Sequence, residues 1–466
     1  MNRVVVVGGG PGGYEAALVA AQLGADVTVV DTDGIGGSAV LTDCVPSKTL
    51  IATAELMADM EEAKELGIRF DGALVTDLAQ VNARVLRLAQ AQSSDIERRL
   101  TREGVKVVRG RGRLDPSAGS GQAAQRVVVT PADGGAEQTL DADAVLVATG
   151  AAPRTLESAQ PDGERILTWE QVYDLDEVPS KLIVVGSGVT GAEFASAYNA
   201  LGVDVTLVSS RDRVLPGEDA DAAAVLEGVF TRRGMTVLSK SRMQSVTRSG
   251  DKVTVTLTDG RTVEGSHCLL ALGSVPNTTD LGLEEAGVTL KDGGFVGVDR
   301  VSRTTARGVY AAGDCTGVLM LASVAAMQGR IAMWHFLGDA VAPLDLKTVS
   351  SNVFTAPEIA TVGWSQKAVD AGEIDAECVM LPLSGNPRAK MQGVRDGFVK
   401  LFARPGTGIV VGGVVVGPRA SELIHPVSIA VTMSITADQL AHAFTVYPSM
   451  SGSVAEAARR LHRFKS

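Results

Sequence analysis

Cysteine is scarce. There are four in 466 residues, Cys44, Cys268, Cys315 and Cys378, scattered and without a CxxC pair. That argues against a zinc site or a secreted disulfide framework and points to a reducing compartment. Long apolar runs are missing too: none reaches the roughly 18 residues that a membrane-spanning helix needs. The first apolar stretch, Val4 to Val7, is broken at once by glycines, so the N-terminus does not read as a signal peptide. Positive charge is in the minority, 43 Lys and Arg against 54 Asp and Glu, for a formal net charge of −11. An acidic whole argues against nonspecific nucleic-acid binding, although it leaves room for a local basic pocket that takes a phosphate. Length is not lacking, and at about 100–200 residues per domain it suggests roughly two to four domains with ample cores. These features point to a soluble, cytoplasmic α/β protein.

Glycine is in excess, with 52 residues, above the usual roughly 7%. Residues 4–31 account for some of it. Val4 to Val7 reads as a buried parallel strand, and Gly8, Gly10 and Gly13 then form a GxGxxG turn. A helix from about Gly12 to Leu23 and a second strand, Val27 to Val30, follow and end at Asp31. In such a βαβ unit the first glycine permits the turn and the second lets the backbone approach a pyrophosphate. The third allows close helix packing, and the acid at the second strand's end holds ribose hydroxyls.

The unit recurs 178 residues later as Gly186, Gly188 and Gly191, and Glu193 stands at the same offset from its first glycine as Glu15 does. Two dinucleotide folds imply two dinucleotides, most economically FAD and a nicotinamide cofactor, since one can pass hydride to the other. The second strand ends in Ser209 rather than an acid, and Arg211 and Arg213 follow. Losing the carboxylate removes repulsion of a 2′-phosphate and an arginine can pair with it, so NADPH is expected, alone or with NADH. Two more apolar strands end in Thr149–Gly150 and, within AAGD, in Asp314.

With these motifs the chain resembles the flavoprotein disulfide reductases, which include lipoamide dehydrogenase, glutathione reductase, mercuric reductase and soluble transhydrogenase. GSVPN at 273–277 and VFTAPEIATVG at 353–363 fall in the family's order, and the resemblance spans essentially the whole chain. It implies an α/β fold of two Rossmann-like domains plus an α+β dimerisation domain. The FAD-binding domain would take 1–150 and 276–345, the NAD(P)-binding domain 151–275, and the interface domain 346–466. It further implies FAD contacts from Gly8, Gly10, Gly13, Asp31, Gly37, Ser38, Lys48, Thr149, Gly150, Asp314 and Ala322. NAD(P) contacts would come from Gly186, Gly188, Gly191, Glu193, Ser209, Arg211 and Gly273. The expected partner is a second copy of the chain, with Tyr447 reaching its flavin.

Two departures decide the expected chemistry. The family motif GGxCxxxxCxPSK reads GGSAVLTDCVPSK at 36–48, with Cys44 present and Ala39 in place of the first cysteine. A disulfide needs two sulfurs at bonding distance, so no dithiol relay forms within this motif. Near the C-terminus the family's HxHPxxxxE is replaced by TVYPSMSGSVAE, which puts Tyr447 where the base histidine stands. A phenol with a pKa near 10 is a poor base at neutral pH. His442, nearby, reads as an ordinary surface or core histidine. Lys48 and Glu193, an ion pair in the family beside the flavin, are intact, and Cys44 keeps an open role. The expectation is an NAD(P)H:quinone oxidoreductase in which Lys48, Glu193, Tyr447 and Cys44 are the catalytic candidates. A quinone is flat, takes two electrons and needs no thiol. The alternatives are a soluble transhydrogenase and a non-catalytic flavoprotein subunit.

Overall fold

The computed structural model describes residues 1–69, 72, 74–116 and 125–462, without the side chains of 61, 62, 64 and 65. The chain divides into two compact units: Met1–Ser47, Asn82–Arg154 and Gly273–Asp345 form one, and Lys48–Val81, Thr155–Leu272 and Leu346–Ser466 the other.

The first unit is built on a seven-stranded sheet. Its parallel part runs Val309–Ala311, Ala144–Val147, Arg3–Val7, Asp26–Asp31, Lys106–Leu114. Gln125–Pro131 and Gln138–Ala142 extend it antiparallel. Residues 117–124, part of the turn-rich hairpin expected around Pro116 to Gly135, lie outside the described residues. The valine run is continuous because both sheet faces are covered: Val4 and Val6 enter one core cluster, Val5 and Val7 the other. The helix Pro11–Gln22 packs against Ala322–Leu337 at Gly12 and Gly329. A Cβ on Gly329 would lie 2.0 Å from the Gly12 carbonyl oxygen, so only glycine allows that approach.

The second unit holds a parallel sheet in the order Thr236–Leu238, Asp204–Val208, Lys181–Val185, His267–Leu270, Ile166–Leu167. A three-stranded antiparallel sheet, Met243–Ser249, Lys252–Leu257 and Thr262–Gly265, accompanies it. From residue 346 the pattern changes to five antiparallel strands, in the order Ser350–Val353, Glu358–Gly363, Val410–Gly417, Phe398–Ala403, Glu377–Pro382. The sequence pattern predicts a helix from Glu422; in the structure it begins earlier, at Ala420, and stops at Leu423. A new helix, His425–Thr432, starts with Pro426 in its first turn, where the missing N–H costs nothing.

Candidate active site

In the first unit the residues singled out from the sequence follow the carboxyl ends of the parallel strands, where open α/β sheets bind ligands. Gly8 has φ +105°, and a Cβ there would sit 2.2 Å from the Ala148 carbonyl oxygen; one on Gly13 would sit 1.9 Å from that of Gly8. These two glycines make the turn possible. Gly10 differs: its nearest neighbour would be the Gly37 Cα at 4.0 Å. The bare backbone there is not demanded by packing and leaves room for a ligand. Gly10 caps the helix without a side-chain hydrogen bond; Pro11 has no N–H and the Gly13 and Tyr14 amides both donate to the Gly10 carbonyl at 2.9 Å, so of the first turn the Gly12 N–H is the one left to face an anion. Gly37 opens the short helix Gly37–Leu41, and the Ser38 carbonyl accepts from Thr42 and Asp43.

Asp31 has more to do than the sequence suggests. Its buried carboxylate accepts from the Gly9 amide at 2.6 Å, and from those of Asp33 and Gly34 at 3.0 and 2.5 Å. It thereby locks the glycine turn to the loop after the second strand. Thr149 and Gly150 are laced to Asn277: Thr149 Oγ1 donates to the Asn277 carbonyl at 2.7 Å, and the Asn277 amide donates to Gly150 O at 3.0 Å. Gly273, at φ +84°, accepts from the Arg154 amide at 2.9 Å. Asp314 starts a turn after Val309–Ala311, and its carboxyl is pushed up to about 6 by burial and by the charge of Asp43. Ala322 is the first residue of the helix Ala322–Leu337.

The second unit repeats the turn. A Cβ on Gly186 would lie 2.1 Å from the Ala271 oxygen and one on Gly191 1.9 Å from that of Gly186, whereas Gly188 faces nothing within 4 Å. At the end of Asp204–Val208 the buried Ser209 hydroxyl meets the Ser187 hydroxyl at 2.7 Å and accepts the Arg211 amide at 3.1 Å. A hydroxyl pair rather than an acid thus ends this strand. The two arginines part ways. Arg213 donates to the carbonyls of Pro216 and Glu218, at 3.3 and 3.2 Å, and so braces its own loop. Arg211 is exposed. Replacing Arg211 by Ala should raise the KM for NADPH about tenfold, the worth of one charge-assisted hydrogen bond, while moving that for NADH less than twofold. Steady-state kinetics with both cofactors check this, and an unchanged NADPH/NADH ratio counts against the assignment.

Lys48 and Glu193 come together as the family resemblance implies. The Lys48 Nζ lies 2.8 Å from Glu193 Oε2, and Glu193 is only 3% exposed. Its other oxygen accepts the Phe354 amide at 2.8 Å. One helical turn on, Ser196 Oγ accepts the Ala356 amide at 3.1 Å, while Arg233 donates to the Ala356 carbonyl at 3.3 Å. Phe354, Ser196 and Arg233 were not named from the sequence; the motif VFTAPEIATVG marks the segment but not these contacts. Glu15, at the matching offset in the first unit, pairs instead with Arg330 at 2.7 Å.

The thiol chemistry is thin. None of the four cysteines is in a disulfide. Cys44 opens the helix Cys44–Glu62, with the Ser47 hydroxyl donating to its carbonyl at 3.5 Å. The Cys315 thiol is buried, donates to the Ala312 carbonyl at 3.3 Å, and is pushed up to about 11 by burial, so it is packing rather than a nucleophile. His442 is exposed and bonds the Asp438 carbonyl of its own helix. Tyr447 is 82% exposed on the loop before Gly452–Leu461, beside the exposed Phe444 and Val446. Among the described residues no cluster of His, Cys, Asp and Glu could hold a metal, and no helix is long and apolar enough to cross a membrane.

Residues 2–329 match the pyridine nucleotide-disulphide oxidoreductase family, and residues 349–458 match the dimerisation domain of that family. The chain belongs to the pyridine nucleotide-disulphide oxidoreductase family. A Mycobacterium tuberculosis protein named NAD(P)H dehydrogenase (quinone) is 59% identical to it, over 99% of this chain and 94% of that protein. A dihydrolipoyl dehydrogenase of Zymomonas mobilis is 32% identical, over 97% and 96%. Among solved structures, LpdA of M. tuberculosis superposes with a TM-score of 0.95 at 58% identity, covering 99% of this chain and all of that one. A flavoprotein disulfide reductase of Escherichia coli shares the fold, with a TM-score of 0.85 at 22% identity and 98% coverage of this chain.

Family members use FAD and NAD(P)H. The residues present fit both: two glycine turns with an open middle position, each opening a helix whose first N–H groups lack a side-chain cap. FAD would be held by the first turn and by the loops of Asp31, Thr149 and Asp314; NAD(P)H would be held by the second, with Ser209 and Arg211.

Proposed function

We propose that this protein is an FAD-dependent NAD(P)H:quinone oxidoreductase acting as a homodimer. The single observation behind this reading is an intact Lys48–Glu193 pair next to a motif holding one sulfur. The name of the M. tuberculosis relative supports it. FAD, when bound, would supply two-electron redox chemistry between a nicotinamide and an acceptor. The chain's part is positional. The glycine turns and their helix N-termini orient the two pyrophosphates. Glu193, fixed by the Phe354 amide, holds the Lys48 ammonium in place, and a positive charge there favours negative charge developing beside it. With Ala39 in place of the first cysteine no dithiol relay carries electrons onward, so the acceptor must come to the flavin itself. We assign FAD binding to 1–150 and 276–345, NAD(P) binding to 151–275, and the dimer interface to 346–466, with Tyr447 offered to the partner subunit.

The test offers the purified yellow protein NADPH or NADH with menadione, thio-NAD⁺ or lipoamide. We expect rapid turnover with menadione and none above background with lipoamide. Lipoamide turnover overturns the reading, preferential reduction of thio-NAD⁺ makes the protein a transhydrogenase, and failure of both nucleotides to bleach the flavin leaves a non-catalytic subunit.

A further inference from the structure

The Lys48–Glu193 pair has a third member that touches both halves. Phe354 donates its backbone N–H to Glu193 Oε1 at 2.8 Å, and its ring centroid lies 5.0 Å from the Lys48 Nζ. A cation within about 6 Å of an aromatic face is attracted by the ring's negative quadrupole. The ammonium is therefore held on one side by a carboxylate and on another by a π face. The ring itself is placed by the backbone after it, since the Ala356 amide is tied to Ser196 and the Ala356 carbonyl to Arg233. Glu193 and Ser196 sit three residues apart on the helix Val189–Ala200, one turn that spans the two amides of 354 and 356. Phe354 is half-buried and lies outside the core cluster that Ala360, Val399, Leu401 and Val415 form in the same sheet.

We infer that Phe354 is a positioning residue of the hydride path, its amide fixing the Glu193 carboxylate and its ring fixing the Lys48 ammonium. The inference rests on the reading that Lys48 and Glu193 serve that path. Phe354→Leu removes the π face but keeps an apolar side chain and the backbone N–H. Under anaerobic stopped flow, the limiting rate of flavin reduction by NADPH should fall about fivefold, the scale of one cation–π contact, with the apparent Kd for NADPH changed less than twofold. Phe354→Tyr, which keeps the ring, should recover the rate to within twofold of the parent protein.

The decisive comparison is the double variant. If Phe354 acts through Lys48, then in a Lys48→Met background Phe354→Leu produces no further loss, because the effects of coupled residues are not additive. Independent, multiplying losses overturn the inference, as does a Phe354→Leu protein that reduces its flavin at the parent rate. A weaker apparent Kd with an unchanged limiting rate also overturns it, since that would make Phe354 a binding residue only. Because only the reductive half-reaction is followed, a failure of quinone to reoxidise the flavin would sink the quinone reading without touching this result.

Discussion

Lys48→Met slows reduction of the bound flavin by NAD(P)H by at least a hundredfold. Lys48 is a partly exposed cation whose partner, Glu193, is almost wholly buried. Removing one member of such a pair strands the other, at a typical cost of about 3–5 kcal/mol. Felt in the transition state alone, that is roughly 150-fold to 5,000-fold in rate. Met keeps most of the stem's apolar volume, so the change isolates the charge. Glu193→Gln should do less, about tenfold to thirtyfold, since Gln still accepts the Phe354 amide and leaves no buried charge behind. Lys48→Arg is no rescue, because a planar guanidinium cannot occupy the compact ammonium's place between a carboxylate and a ring. Anaerobic stopped flow at the flavin absorbance maximum measures all three, with FAD content and circular dichroism showing that the variants are loaded and folded. If Lys48→Met reduces its flavin within threefold of the parent rate, the pair is structural and the proposed hydride path is wrong.

The sequence made legible whatever is written in short, ordered motifs. Gly8, Gly10 and Gly13, and their repeat at Gly186, Gly188 and Gly191, name their strands, turns and helices, because the outer two glycines of each set answer a close backbone approach and the middle one keeps the turn open. The Lys48–Glu193 pairing was legible only through the family resemblance, since 145 residues separate the two. Contacts made by backbone atoms leave no residue-type signature, so the Phe354 amide on Glu193 and the Gly9 amide on Asp31 could not be read. Arg211 and Arg213 look alike on paper, and only the carbonyls of Pro216 and Glu218 separate a loop brace from an exposed guanidinium. Likewise Asp31 reads as a ribose acid, while three amides make it a loop anchor as well. The absent cysteine at Ala39 was the most legible feature of the chain, because a missing sulfur needs no geometry to interpret.

Lys400 was illegible for the opposite reason: nothing in FVKLFAR marks its lysine as other than a solvated strand residue. It is 2% exposed. Val399 and Leu401 point into the core, so Lys400 faces the other side of the sheet, where its Nζ meets Asp219 at 2.8 Å and Asp221 at 2.6 Å. Asp219 also caps the helix Ala220–Arg232 through the amides of Asp221 and Ala222. Burial works against the ammonium, but the hydrogen bonds and charges of the two aspartates outweigh it, and its pKa lies above the lysine norm. The sign follows: a cation favoured by folding contributes its stability in full below the unfolded pKa of about 10.5. That contribution is lost only as pH rises through the higher folded value. At neutral pH, Lys400→Met should therefore destabilise the protein by about 3–5 kcal/mol, since it leaves Asp219 buried and charged without its cation. Lys400→Met with Asp219→Asn should regain a large part of that loss, because Asn neither carries the stranded charge nor gives up the cap. Urea unfolding of the parent, single and double variants at pH 7 measures it, and a single variant within 1 kcal/mol of the parent would show that solvent reaches this pair and the cluster is not a clamp.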